Sequence, residues 1–195
     1  DVYKRQDDDI IAVDGVQIST KQQYYIKFHK PAGYITAVED PTHPVVMDLL
    51  PPEFKKMGVF PVGRLDKDTE GLLLLTNDGI WAHSIINGHK HVPKVYYVEF
   101  NGKLTKDGLE RIETGIVLGD GTQCKPANID VLSEQSLHIT IEEGKYHQVK
   151  RMIGAAGGEV IYLKRLSIGH ITLNGIEAIN TYSEIDDQDV VDFKK

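Results

Sequence analysis

Between Val62 and Gly79 the chain reads VGRLDKDTEGLLLLTNDG, with Asp66, Asp68, Glu70 and Asp78 set around an unbroken apolar run, Leu72 to Leu75. Carboxylates placed against a segment that must be buried are costly unless each finds a partner. Three chemistries could use them. A calcium loop is a poor match: Asp66, Asp68, Glu70 and Gly71 occupy its first, third, fifth and sixth positions, but leucines fill the seventh to tenth and Asn77 stands where a bidentate Glu belongs. Phosphoaspartate chemistry expects the acids after a hydrophobic strand, and here the apolar run follows them. No glycine-rich phosphate loop ending in Gly-Lys-Ser/Thr is present either. The third option makes one carboxylate a nucleophile held rigid at a loop-to-strand junction, with a cation to keep it ionised. Arg64 is near in sequence and the basic segment HQVKRM, from His147, could supply a cation from afar. A plain Arg64–Asp66 pair across a turn explains this segment slightly better, taken alone.

YYIKFHKPAGYITA (24–37) alternates around Pro31 and Gly33 and predicts strand–turn–strand. A short helix is expected near Val45–Leu50, and GLLLLTND reads as a strand buried on both faces. Helices follow at GIWAHSIING and at LTKDGLERIETG, the second capped by Thr105 with Leu109 and Ile112 on one face. KVYYVEFNG, ANIDVL and LHITIEE have strand composition, KYHQVKRMIGAAGG predicts a helix with a glycine stop, and EVIYLKRLSIGHITLNG predicts paired short strands. Strands outnumber helices and alternate, so the fold class is α+β with mainly antiparallel pairing.

The composition, 26% charged and 41% hydrophobic over 195 residues, describes a globular chain able to bury a core rather than a disordered one. No apolar run reaches the roughly 18 residues of a membrane span, and Cys124, the single cysteine, cannot form an internal disulfide. A cytoplasmic protein is expected, without a membrane partner. Net charge is −7, which argues against a polyanionic partner, but it is unevenly spread. Residues 1–20 carry −3 and residues 177–195 carry −4, so the body is neutral. Within that body Lys145, Lys150, Arg151, Lys164 and Arg165 face only Glu159 between positions 145 and 165. Such an excess suits phosphates, or simply a solvated face.

Three separated segments together resemble one family. GRLDKDTEGLLLLTNDG is similar to the signature of the pseudouridine synthases, in particular the RsuA branch that modifies bacterial ribosomal RNA. KVYYVEF, beginning with Lys94 and Tyr96, resembles the second motif, and EEGKYHQVKRM with LKRLSIGHITL resembles the third and its continuation. The likeness runs from about Tyr24 to Leu173. It implies the pseudouridine synthase fold, a mixed, mainly antiparallel central sheet flanked by helices, with the site in a central cleft.

It also implies roles. Asp66 would be the nucleophile that detaches uracil from its ribose, without cofactor or metal. Tyr96 would stack on the base and help move a proton, its phenol having both a π-face and a polar tip. Lys150 would pair with Asp66 and keep it ionised. Arg64, Lys94, Lys145, Arg151, Lys164 and Arg165 would meet RNA, and the target base would be flipped out to be reached. Tyr97, pointed the other way by alternation, suits a core tyrosine; His147 and Gln148 would support the motif, and Asp68, Glu70 and Asp78 would serve turns and caps. The expected substrate is a uridine of 16S rRNA, free or in a pre-ribosomal particle, acted on by a monomer. A sister enzyme of 23S rRNA, a non-catalytic RNA-binding module and, more remotely, a metal-dependent phosphatase or nuclease are the rivals. The family usually carries an N-terminal S4-type RNA-binding domain; residues 1–20 are expected to be its remnant and linker, and 21–195 the catalytic domain. The C-terminal NGIEAINTYSEIDDQDVVDF matches the family only loosely.

Overall fold

The computed structural model describes residues 10–13, 16–19 and 23–194. Most of the expected linker, 1–20, lies outside the described residues; its described part is an antiparallel ladder of β1 (Ile10–Val13) and β2 (Val16–Ser19). The elements then run β3 (Tyr25–Lys30), a 3-10 turn (Val46–Leu49), α1 (Pro52–Lys56), β4 (Phe60–Val62), β5 (Glu70–Thr76) and α2 (Gly79–Ile86). A second 3-10 turn (Gly88–Lys90) leads to β6 (Lys94–Gly102), α3 (Lys106–Thr114), β7 (Asn128–Ser133), β8 (Ser136–Ile141) and α4 (Gln148–Ala155). The chain ends with β9 (Gly158–Ile168), β10 (Ile171–Thr172), β11 (Tyr182–Glu184) and α5 (Asp187–Asp192).

From β3 onward the strands form one sheet in the order β11-β3-β5-β9-β6-β8-β7, with β4 added to β5 and β10 to β9. Among the described residues every pairing between named strands of this sheet is antiparallel except that of β5 with β9, which spans only Glu70–Lys164 and Gly71–Arg165. This is the mixed, mainly antiparallel α+β sheet expected from the sequence. The parallel join is where the functional residues gather.

The four leucines explain why β5 can be continuously apolar. Leu73 and Leu75 pack with Ile26, Phe28, Met152 and Ile153 in the larger core, while Leu72 and Leu74 pack with Trp81, Ile85 and Ile168 in the smaller one. A strand buried on both faces cannot alternate. Asp78 ends β5 by capping α2, accepting from Trp81 N, and Thr105 caps α3 by accepting from Gly108 N at 2.9 Å. Ile112 is fully buried, with Leu109 half-buried beside it.

Two local expectations are corrected. The second strand after the KPAG turn does not form. Ile35 makes only an isolated bridge to Val45, and the Thr36 hydroxyl binds both backbone groups of Leu65 instead. A side chain that satisfies distant backbone in this way takes the place of a ladder. The segment 158–168 is one eleven-residue strand rather than a short one, with β10 folding back after Gly169-His170.

At the parallel join the backbones nearly touch. A β-carbon on Gly71, at φ +113°, would lie 2.2 Å from the Arg165 carbonyl oxygen. Only glycine fits there. Gly71→Ala is expected to cost about 1–3 kcal/mol, read as a lowered urea midpoint with an unchanged slope; an unaltered midpoint would show that the two strands can part without penalty.

Candidate active site

Asp66 sits in the loop between β4 and β5, and its position is fixed from three sides. Before it, Thr36 Oγ1 accepts from Leu65 N at 3.0 Å and donates to Leu65 O at 2.8 Å. Beneath it, the fully buried Lys30 reaches Asp66 O and Lys67 O, both at 3.2 Å, Thr69 O at 2.7 Å and its neighbour Pro31 O at 3.0 Å. Across the loop Thr69 N donates to Asp66 O, and Gly33 N donates to Lys67 O. The backbone is therefore held without using the Asp66 carboxylate, which is left to face the cleft.

That carboxylate meets the N-terminus of α4. Lys150 Nζ lies 3.1 Å from Asp66 Oδ2, and His147 Nε2 lies 3.3 Å from Oδ1. Lys150 also donates to Asp68 Oδ1 at 2.7 Å. Burial works against the lysine's charge, but the hydrogen bonds it donates to Asp68 and Asp66 outweigh it and hold the ammonium above the ordinary lysine range. The Asp68 carboxyl is correspondingly held below its ordinary value, chiefly by the bond from Lys150.

The cleft beside Asp66, about 400 Å³, reaches from the Asp66 loop and α4 to β6 and β9. Its volume falls within the range of small-ligand sites. Tyr96 lines it, 9% exposed, among Ile141, Val149, Leu163 and Ile168. Opposite Tyr96 on β9 stands Arg165, because the register slips between Val95 and Tyr96 and leaves Leu166 unpaired. Arg165 Nε donates to Leu72 O at 2.8 Å and Nη1 lies 3.5 Å from the Tyr96 hydroxyl. Lys94 opens the same strand and also lines the cleft; burial, with the Arg165 charge adding, holds it below the ordinary lysine range.

The site thus brings together Asp66, Tyr96 and Lys150, as well as Arg64, Lys94 and Lys145 along the cleft wall. The remaining basic residues are placed differently. Arg165, expected as a phosphate contact, is 4% exposed and lies in the cleft floor. Arg151 is engaged by Asp120 at 2.6 Å and by the Tyr146 carbonyl at 3.1 Å. Lys164 follows Leu163 and precedes Arg165 on β9, so alternation turns it to the opposite sheet face from the cleft.

His147 approaches Asp66 directly instead of merely supporting the helix, whereas Gln148 does support it, buried and donating to Glu143 Oε2 at 2.8 Å. Tyr97 is half-buried, not a core residue, and its hydroxyl donates to Glu99. Of the other acids, Asp78 caps α2 and Glu70 accepts from Tyr162, while Asp68 does more than a turn requires by sharing Lys150. Asp66 and Asp68 thus share Lys150, while Glu70 and Asp78 turn to other partners. Among the described residues no three His, Cys, Asp or Glu side chains converge as a metal site.

Lys30 and Thr36 were missed by sequence reasoning. Lys30 ends a strand in which His29 and Lys30 are both buried, which breaks alternation, and nothing in its neighbours' types signals that.

Comparison with known proteins gives the family. Residues 24–155 match the family described as RNA pseudouridylate synthase. An uncharacterized RNA pseudouridine synthase of Bacillus subtilis, YtzG, is 41% identical over an alignment of 196 positions that covers 97% of this chain and 82% of the relative. The ribosomal small subunit pseudouridine synthase A of Escherichia coli is 37% identical over 186 residues, covering 92% and 78%. A solved pseudouridylate synthase superposes with a TM-score of 0.81 at 28% identity, over 98% of this chain and 83% of that one.

Proposed function

The chain belongs to the RNA pseudouridylate synthases, in the RsuA family, and from that premise we propose that it converts one uridine of 16S ribosomal RNA to pseudouridine with Asp66 as nucleophile. That it is an isomerase acting on RNA follows from the family; the particular RNA and the particular residues are our reading. The observation that carries it is the Asp66 carboxylate, bound to Lys150 at 3.1 Å and sharing a cleft with Tyr96.

The reaction is an isomerisation, so its atoms balance within the nucleoside. The bond from uracil N1 to ribose C1′ breaks, the base turns, and a bond from C5 to C1′ forms. The C5 proton leaves and N1 gains one. Asp66 serves this by attacking the sugar carbon or the ring, or by assisting elimination; each route ends in the same exchange. Lys150 compensates the carboxylate's charge and keeps it ionised. Tyr96 offers a ring face to the base and a hydroxyl for proton movement, with Arg165 beside that hydroxyl. Uridine enters flipped out of its RNA, and Arg64, Lys94 and Lys145 stand along its way in. The 16S assignment rests on relatives named as small-subunit enzymes. Among the described residues no helix is long and apolar enough to cross a membrane; a cytoplasmic location is our reading from the relatives named as ribosomal small-subunit enzymes.

Tritium release from RNA labelled at uracil C5 tests this, with 16S and 23S transcripts assayed separately and with chelator present. Release from 16S, undiminished by chelator, is the expected result. Release from 23S alone would move the substrate, and none from either would favour an RNA-binding module without catalysis.

A further inference from the structure

The cleft has room for the target base and Tyr96 to stack on it, which leaves the rest of the RNA strand without a seat. The most exposed tyrosine of the motif region suggests one. Tyr146 is 75% exposed, an unusual position for a large aromatic, and it is not part of the cleft lining although Gly144, Lys145, His147 and Gln148 are. It therefore stands at the rim, beyond reach of the base in the cleft.

Its ring is not loose. It stacks on His147 with centroids 3.8 Å apart and planes within 17°. His147 takes a left-handed conformation, φ +47°, at the start of α4. Arg151 Nη1 donates to the Tyr146 carbonyl at 3.1 Å, and Lys145 N donates to Gln148 Oε1 at 3.1 Å, with Gln148 anchored in turn to Glu143. A tip held this way from behind presents its ring at little further entropic cost. The neighbouring cations are Lys145, 3.8 Å from Glu143, and Arg151, already bound to Asp120, so Lys145 is the one placed to meet a phosphate.

We propose that Tyr146, backed by His147, is a stacking site for an unpaired nucleobase next to the target uridine on the same strand. This rests on the reading of the chain as an RNA isomerase. A base seated there would add a third ring to the Tyr146–His147 stack, whose inner member lies with Nε2 3.3 Å from the Asp66 carboxylate. It also replaces stacking that the strand loses when the uridine leaves its helix. Every base has a π-face, so the site tolerates sequence while favouring purines, which overlap more of the ring.

The test uses two independent readouts. Short single-stranded RNAs carrying one uridine with 2-aminopurine on its 5′ or 3′ side report stacking without any turnover. The bound probe is expected to be quenched on one side by the native chain, brighter with Tyr146→Ala, and quenched again with Tyr146→Trp. In tritium release, Tyr146→Ala is expected to raise KM about 5- to 100-fold, with the loss falling on KM more than on kcat, and Tyr146→Phe is expected to restore it. Equal fluorescence for native and Ala chains at both positions would overturn the proposal, as would a fall confined to kcat, which would mean that the tyrosine acts only through His147. An absence of tritium release from every RNA would count against the isomerase reading, and the fluorescence arm would still decide on the stacking site.

Discussion

Asp66→Asn is expected to lower tritium release on the order of 10⁴-fold or more while barely changing stability. The amide keeps the shape of the side chain and its oxygen can still accept from Lys150, but it lacks the negative charge that makes a carboxylate nucleophilic. Removing one member of an ion pair is usually expensive, because the other is left charged and uncompensated. Here Lys150 retains Asp68 at 2.7 Å. The Asp66 side chain is also 28% exposed, so water shares in the compensation. A change under about 1 kcal/mol in urea unfolding is therefore expected. The useful control is Asp68→Asn, which keeps Asp66 with Lys150 and should reduce activity far less. If Asp66→Asn were active and Asp68→Asn inactive, the nucleophile would be the acid two residues along, and the loop would have to turn its other face to the cleft.

The contrast between those two acids shows what the sequence could and could not reveal. The strand at Glu70–Thr76, the caps at Asp78 and Thr105 and the long strand from Lys94 were all readable, because each depends on residues adjacent in the chain. Asp66, Tyr96 and Lys150 were singled out by motif, and the structure brings them to one cleft although they come from a loop, a strand and a helix. What was not legible depends on distant approach. Thr36 acts on Leu65 across 29 residues and Lys30 on Thr69 across 39, so neither partner predicts the other.

Arg165 departs from the expected phosphate contact for a related reason. A cation in a basic segment reads as surface, and local sequence did not disclose the slip beside Leu166 that sets it against Tyr96 in the cleft floor. The same limit applies to His147: its type fits a helix-start residue, but its distance from Asp66 follows from where α4 docks. The chemistry is announced locally, and the support for it is tertiary.

Lys30→Met is the substitution that tests that support, and it is expected to cost about 3 kcal/mol of stability and about 100-fold in kcat. The native ammonium has three hydrogens for four carbonyl oxygens, three of them in the Asp66 loop. Methionine fills much of the same volume but donates nothing; Asp66 O and Lys67 O keep Thr69 N and Gly33 N, while Thr69 O and Pro31 O lose the lysine, and an unsatisfied buried acceptor costs about 1–3 kcal/mol. Release from desolvating a charge offsets part of the sum. What remains is a loop free to shift, and displacement of a nucleophile by about 1 Å is enough for the kinetic loss. The pH dependence separates this account from simple unfolding. Burial pushes Lys30 down to about 8, against the opposing pull of Asp68, Asp66 and Glu70. An unfolded lysine titrates near 10.4, so between about 8 and that value the unfolded chain holds more protons, and this residue makes the fold more stable as pH rises. Over the same window the neutral amine has one hydrogen fewer for the loop, so kcat should fall. Activity and stability are thus expected to move in opposite directions above pH 8 in the native chain, and the Met variant should lose both components. If kcat and the urea midpoint instead declined together in the native chain, or the Met variant kept native kcat, Lys30 would not be what holds Asp66 in place.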